Sequence, residues 1–321
     1  MNEHSMNEHR TEIDSTIDRM NLKVGNSMLC SPVITAAGCS GHGTELSAYG
    51  DLSTLGAVTV KSLSKDPYAG NEPPRMLGIN GGMINSVGLQ NEGVKGWYEN
   101  WYKSCKRLNV TTVVSIFGFS IEDYVETIKE LQVMLEEDRS TVKAIEINAS
   151  CPNVANKKMF SQDADLLNSL IRAVKEVTID IDLWVKLSPQ VSDLLEIAEA
   201  AISGGASSLT LTNTLAGTAL DKSGKSLLGA KSGGISYDAL HPVALKIVSQ
   251  VRERYKDIGI IGVGGVKDLK TALDFFYSGA DAVAVGTHNF IDPRFPWKLV
   301  EELEQFQSHH GLKSLKELRV S

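Results

Sequence analysis

Long hydrophobic runs are missing from this chain of 321 residues. No apolar stretch reaches the roughly 18 residues that a membrane-spanning helix needs, so no membrane segment is expected. The first residues carry charge throughout and lack an apolar segment, so no secretory signal is expected. Cysteine is scarce: Cys30, Cys39, Cys105 and Cys151 stand far apart with no C-x-x-C pair. That argues against a zinc site or a disulfide framework and for a reducing, cytoplasmic setting. Positive charge is also short, with Lys+Arg 32 against Asp+Glu 39, which speaks against a general nucleic-acid partner. Only 9 prolines stand beside 28 glycines, so no proline-rich linker divides the chain. No H-E-x-x-H, no acidic cluster and only scattered histidines occur, so no metal site is expected. The G-x-G-x-x-G fingerprint lacks its third glycine, and the Gly224–Ser226 G-K-S has Ala219 where a P-loop needs glycine.

What is present is regular alternation. Residues 1–19 repeat a polar MNEHS/MNEHR motif and read as a flexible extension, with Met20 an alternative start. From there to residue 321 one domain is expected. Eight short apolar runs recur: VITAAG (33–38), GAVTVK (56–61), TVVSIF (112–117), KAIEIN (143–148), LWVKLS (183–188), SSLTLT (207–212), IGIIGVGG (258–265) and DAVAVG (281–286). Helix-period stretches lie between them, at 121–137, 163–177 and 192–205. Eight strands alternating with helices predict an α/β fold, a (β/α)8 TIM barrel, with an open doubly wound sheet as the rival. Residues 62–111 and 214–240 are too long for single connections and read as excursions over the barrel mouth.

Barrel chemistry sits at the C-terminal strand ends, which turns those ends into candidates. The seventh run ends in Gly264-Gly265 and the eighth in Gly286-Thr287, where backbone N–H groups can approach a phosphate. Lys61 and Lys186 close two other strands, and an inward lysine needs an anionic partner. That partner is either a ligand or an ion pair within the barrel. Cys151 sits on a turn between Asn148 and Asn153, a candidate acid, base or nucleophile. Cys30, Cys39 and Cys105 lack such company and read as structural. Asn85, Asn148, Asn153 and Asn213 cluster near the proposed mouth, and amides suit a pyrimidine ring or a flavin edge. Glu146 lies within a strand and is expected to pair with a lysine. Together these features fit bound flavin mononucleotide (FMN).

With those residues in view, the chain resembles class 1 dihydroorotate dehydrogenases from about Met20 onward. The resemblance rests on Asn85-Ser-Val-Gly-Leu-Gln-Asn91, Glu146-Ile-Asn-Ala-Ser-Cys151-Pro-Asn153, Val185-Lys186-Leu-Ser-Pro189 and Thr212-Asn213-Thr214. It extends through Ser232-Gly-Gly-Ile-Ser236 and the Asn289-Phe-Ile-Asp-Pro293 segment. It implies oxidation of dihydroorotate to orotate in pyrimidine (UMP) biosynthesis, with hydride transfer to FMN. Cys151 matches the family's base, which takes the proton from substrate C5. Lys61 matches a lysine near both flavin and substrate, with a catalytic role. Lys186 matches one at the flavin N1/O2 edge. Asn85, Ser86, Val87, Gly88, Leu89, Asn148, Asn213 and Thr214 match substrate contacts, and Asn153 adds another. Ala37, Lys61, Ser62, Ser115, Asn148, Lys186, Thr212, Tyr237, Gly264, Gly265, Gly286 and Thr287 fall at cofactor positions.

Gly88-Leu-Gln-Asn91 and the 289–293 segment resemble subclass 1B. Membership there implies a partner subunit carrying FAD and a 2Fe-2S iron–sulfur cluster and passing electrons to NAD, with a homodimer core or a heterotetramer as the assembly. This chain has no cysteine cluster to hold such a centre. The alternatives are the fumarate-using subclass 1A, a dihydropyrimidine dehydrogenase-like flavin barrel, and a flavin-free phosphate-binding isomerase or lyase. Three positions depart from the family pattern. Ser115 stands where an asparagine is usual, Tyr237 stands where a glycine is common, and the loop after Cys151 reads VANKKM. A positive φ at Tyr237 is expected to be strained.

Overall fold

The computed structural model describes residues 20–150 and 159–319. Residues 1–19, the expected extension, lie outside the described residues. The chain begins with an antiparallel pair, β1 (Leu22–Val24) and β2 (Ser27–Leu29). Asn26, in the turn between them, donates its backbone N–H to Asp182 Oδ2 at 3.0 Å, at the start of a barrel strand. This pins the hairpin under the barrel, where Val24 and Leu29 join the interior cluster and close its floor.

The first two barrel strands are β3 (Val33–Thr35) and β4 (Ala57–Thr59). Outside the barrel, β5 (Met76–Ile79) and β6 (Gly82–Asn85) form a hairpin. Then follow β7 (Thr112–Ile116), β8 (Val142–Asn148), β9 (Asp182–Leu187) and β10 (Ser208–Leu211). A second excursion supplies β11 (Leu215–Gly217) and β12 (Gly233–Ser236), before β13 (Gly259–Val263) and β14 (Ala282–Val285) complete the count. Strands 3, 4, 7, 8, 9, 10, 13 and 14 close into one parallel barrel, so the open-sheet rival falls. All eight apolar runs supply barrel strands, because a strand covered on both faces must be apolar nearly throughout. Trp184 fills the interior together with the small Ala57, Ala144 and Ala282. That is a large-against-small solution to dense packing.

Helices α1 (Gly93–Trp97), α2 (Lys103–Arg107), α3 (Ile121–Met134), α4 (Ala164–Val177) and α5 (Leu194–Gly204) connect the first half, with a π turn between α1 and α2. Helices α6 (His241–Arg254), α7 (Leu269–Tyr277) and α8 (Phe295–His309) follow. Side-chain caps fix several starts: Ser120 accepts from the Asp123 N–H, and Asp193 accepts from the Leu195 and Glu196 N–H groups. The alternation is imperfect at one point. Between β3 and β4 the chain makes two short 3-10 turns, Glu45–Ala48 and Leu52–Thr54, in place of an α-helix.

The two excursions meet. β12 pairs antiparallel with β6, giving a four-stranded sheet in the order β11-β12-β6-β5. Asn85 and Gly234 face each other in that register, so residues far apart in sequence are brought to one wall.

Candidate functional site

Parallel strands deliver all their C-terminal ends to one mouth. Lys186, the fifth residue of β9, pairs with Asn148 of β8 on one side and Thr210 of β10 on the other. Lys61 follows β4, its N–H bound to the Gly41 carbonyl at 2.8 Å. Lys186 is only 7% exposed, and neither lysine has a carboxylate within ion-pair distance among the described residues. Burial lowers the Lys61 pKa below its ordinary value. Cys39 opposes that shift and Lys186 adds to it.

A run of donors crosses the mouth. Asn213 Nδ2 donates to Asn148 Oδ1 at 3.2 Å, and Asn148 Nδ2 donates to Ser62 Oγ at 3.3 Å. The Ser62 and Ser115 hydroxyls lie 2.9 Å apart, and Ser115 donates on to Glu146 Oε1 at 3.2 Å. Thr210 donates to Glu146 Oε2 at 2.8 Å. Both hydroxyls donate to Glu146, so the chain of bonds ends on its carboxylate. The expectation that Glu146 pairs with a lysine is therefore corrected. Lys186 stands opposite Asn148, whereas Glu146 stands opposite Trp184, so the carboxylate takes two hydroxyls instead. Ser115 departs from the usual asparagine and serves as a link in this chain.

The four-stranded sheet supplies the outer wall. Asn85 Nδ2 donates to the Gly234 carbonyl at 3.3 Å, and Asn71 Nδ2 donates to the Ser86 carbonyl at 3.0 Å. Gly88 and Leu89 both hold left-handed backbone, at φ 70° and 62°. Thr214 packs so closely under Gly234 that a Cβ there would lie 2.0 Å from its Oγ1. A cavity of about 600 Å3 opens beside Lys61, lined also by Gly38, His42, Tyr68, Val87 and Asn91. A wider depression of about 1020 Å3 runs along α8, past Leu269 and Phe306, and includes none of the strand-end residues.

At the other side of the mouth, Gly264 and Gly265 turn at φ 135° and 67°. A Cβ on Gly265 would meet the Tyr237 carbonyl at 2.8 Å. Gly286 differs: a Cβ there meets nothing nearer than Ala36 at 3.6 Å and Cys39 at 3.7 Å. Its backbone, at φ −110° and ψ −104°, lies outside the regions that residues with a Cβ favour, and the space beside it is open. Ala37 lies on the half-buried loop after β3. Thr287 Oγ1 donates to Ser236 Oγ at 2.7 Å. Tyr237 holds φ 81°, as strained as its sequence position implied.

Two buried hydroxyls, Ser86 Oγ and Thr212 Oγ1, have no hydrogen-bond partner. Orphaned donors, two lysines without acids and a glycine turn fit a polar, anionic, ring-bearing group such as a flavin phosphate. Cys151 and Asn153 lie outside the described residues. Cys39 was read from sequence as structural, and its buried thiol, with the pKa raised by burial, agrees with that. It sits in the fields of Lys186 and Lys61, which oppose the rise in its pKa that burial causes. Sequence reading also missed Thr210 and Asn71. Glu146 and Asn148 share a strand face by alternation, and that spacing was the available signal for a carboxylate-anchored amide.

Fold and site together define a parallel barrel built to hold an anionic, polar ligand at its strand ends. The family model for dihydroorotate dehydrogenase matches residues 19–306, and the chain belongs to that family. It is 41% identical over 304 residues to the "dihydroorotate dehydrogenase B (NAD(+)), catalytic subunit" of Alkaliphilus metalliredigens, covering 94% of this chain and 98% of that one. The protein of that name from Bacillus pumilus is 38% identical, over 93% of this chain and 94% of its own length. Among solved structures, the Eimeria tenella dihydroorotate dehydrogenase in complex with ferulenol superposes with a TM-score of 0.75. Identity there is 22%, over 94% of this chain and 87% of that chain, which speaks to the fold alone.

Proposed function

We propose that this chain is the catalytic subunit of a dihydroorotate dehydrogenase of subclass 1B, oxidising dihydroorotate to orotate on bound FMN. The observation that carries the reading is the pair of lysines, Lys61 and Lys186, facing the mouth with no carboxylate partner among the described residues. Similarity over nearly the full length to proteins named catalytic subunit supports the subclass.

When bound, FMN supplies the hydride acceptor. The chain's own residues do the rest. Gly264, Gly265, Gly286 and Thr287 offer backbone N–H groups to the phosphate, with Tyr237 beside them. Lys186 would hold the bound ring, offering it a fixed positive charge. Ala37, Ser62, Ser115 and Thr212 line the ring's site. Lys61 faces the substrate carboxylate, and Asn85, Ser86, Val87, Gly88, Leu89, Asn148, Asn153, Asn213 and Thr214 hold and orient the dihydropyrimidine. Asn148 is pre-aimed by the donor chain that ends on Glu146, so little ordering remains to be done on binding. Cys151 takes the C5 proton.

A partner subunit bearing FAD and a 2Fe-2S cluster would carry electrons onward to NAD, in a heterotetramer around a homodimer of this chain. Cytoplasmic placement suits the free thiols of Cys30, Cys39 and Cys105. No described helix is long and apolar enough to cross a membrane. The test is direct: the purified chain is expected to be yellow and to release FMN, identified by mass, at one equivalent per chain. A colourless chain that takes up no added FMN overturns the reading.

A further inference from the structure

The turn after β13 sets Gly264 and Gly265 in succession at φ 135° and 67°. Two glycines in a row leave the peptide plane between them free to rotate, because no Cβ restrains either side. That plane carries the Gly264 carbonyl on one edge and the Gly265 N–H on the other. The peptide is trans, so the two point in opposite directions, and fixing the carbonyl fixes the N–H. Gly265 is buried, and no described residue accepts a hydrogen bond from its N–H. A buried N–H without a partner is rare in a folded chain and marks a place for an acceptor from outside it.

The carbonyl is held by His241, the first residue of α6. Its Nδ1 lies 2.9 Å from the Gly264 oxygen, and its Nε2 lies 3.3 Å from Asp274 Oδ2 on α7. Both partners only accept: one is a carbonyl, and the other is a carboxylate that also takes Lys270 Nζ at 2.7 Å. Both ring nitrogens must then carry hydrogens, so the arrangement is complete only as an imidazolium. The ring stands edge-on to Phe275, 5.3 Å between centroids, and 14% of the side chain is exposed. The charged groups around it are Asp274 and Lys270 of α7. Lys267 and Asp238, on the flanking turns, are paired with each other at 2.8 Å.

Resting on the FMN reading above, we infer that His241 is a positioning residue for the phosphate cradle. As an imidazolium braced on Asp274, it holds the Gly264 carbonyl toward α6 and so presents the Gly265 N–H to the flavin phosphate. A charged donor polarises that peptide more than a neutral one does, which makes the opposite N–H a stronger donor. Loss of one proton breaks one of the two bonds, to Asp274 or to the Gly264 carbonyl. Retention of the phosphate end thereby depends on pH through a residue that never touches the phosphate.

The experiment compares the FMN-loaded wild-type chain with His241→Ala and with His241→Asn, whose amide can keep the bond to Gly264 but carries no charge. Release of FMN is timed by the appearance of free-flavin fluorescence from about pH 6 to about pH 9, a span across which a histidine gives up its proton. At the acid end His241→Ala is expected to release FMN about tenfold faster than the wild type, the worth of one hydrogen bond from a charged donor. Toward the alkaline end the gap should narrow to about threefold, because the wild type then holds the carbonyl with a neutral ring. The ratio of His241→Asn to His241→Ala should not change with pH. A second readout needs no flavin: nitrogen-15 spectra of the histidine-labelled apochain at neutral pH should show protons on both ring nitrogens of His241. Release from His241→Ala at the wild-type rate, or faster by the same factor at every pH, overturns the inference while the FMN reading stands. A neutral His241 ring in those spectra does the same. A wild-type chain that binds no FMN removes the FMN reading and takes this inference with it.

Discussion

Lys61 shows how a single residue can report on the site. Its folded pKa lies below the ordinary lysine value because burial disfavours the charged form. In the ligand-free chain the buried charge therefore costs stability below the folded pKa, and that cost is relieved as pH rises toward the ordinary value. A bound carboxylate reverses the balance by favouring the ammonium. Orotate affinity should then fall as pH climbs through the lowered Lys61 pKa, short of the ordinary lysine range. A calorimetric titration series whose affinity stays constant up to the ordinary lysine range would remove Lys61 from carboxylate recognition. Cys151 carries a second expectation: Cys151→Ser should stay yellow but reduce its flavin more slowly by about 100-fold or more, the usual worth of a positioned base. Stopped-flow reduction should recover in part at high pH, and unchanged kinetics would take Cys151 out of the mechanism. At this scale the sequence was readable where chemistry coincides with strand ends, as for Lys186 and Asn148. It was opaque where a partner comes from a distant strand. Thr210 lies 64 residues from the Glu146 it serves, and only barrel closure joins them. The approach of Lys61 and Lys186 to Cys39 was equally hidden, since they arrive from two other strands.

Among the elements, three helices were legible from their period. The stretch 163–177 became α4 with Asp163 as its cap, and 192–205 became α5 between Asp193 and Gly205. The crossover from β3 to β4 was not, because 3-10 turns leave no 3.6-residue period to read. The pairing of β6 with β12 was also hidden: each excursion alone looks like a loop, and the sheet exists only when both are present. Asp193 offers a test confined to one element. Its carboxylate accepts from two backbone N–H groups at 2.9 and 3.1 Å. Asp193→Ala should cost about 1 kcal/mol and lower the melting temperature by roughly 2 °C. Flavin content should not change. A variant that melts like the wild type would show that α5 does not depend on this cap, and one that loses flavin would show coupling to the site.

Across the whole molecule, the barrel gathers at one mouth what the chain scatters from Ala37 to Thr287, while the hairpin of β1 and β2 seals the opposite end. The fold was legible in the eight runs because parallel strands buried on both faces cannot hide their composition. If a second subunit relays electrons, the isolated chain should reduce an artificial acceptor with dihydroorotate yet leave NAD untouched. Adding a subunit that carries FAD and a 2Fe-2S cluster should restore NAD reduction. Efficient NAD reduction by the chain alone, or turnover with fumarate, would contradict the subclass assignment. The central claim, that this mouth oxidises dihydroorotate on FMN, is tested most directly by anaerobic titration of the purified chain with dihydroorotate while watching the visible flavin band. The account expects bleaching complete at one equivalent per site. A flavin band that stays oxidised through a large excess of dihydroorotate would contradict it.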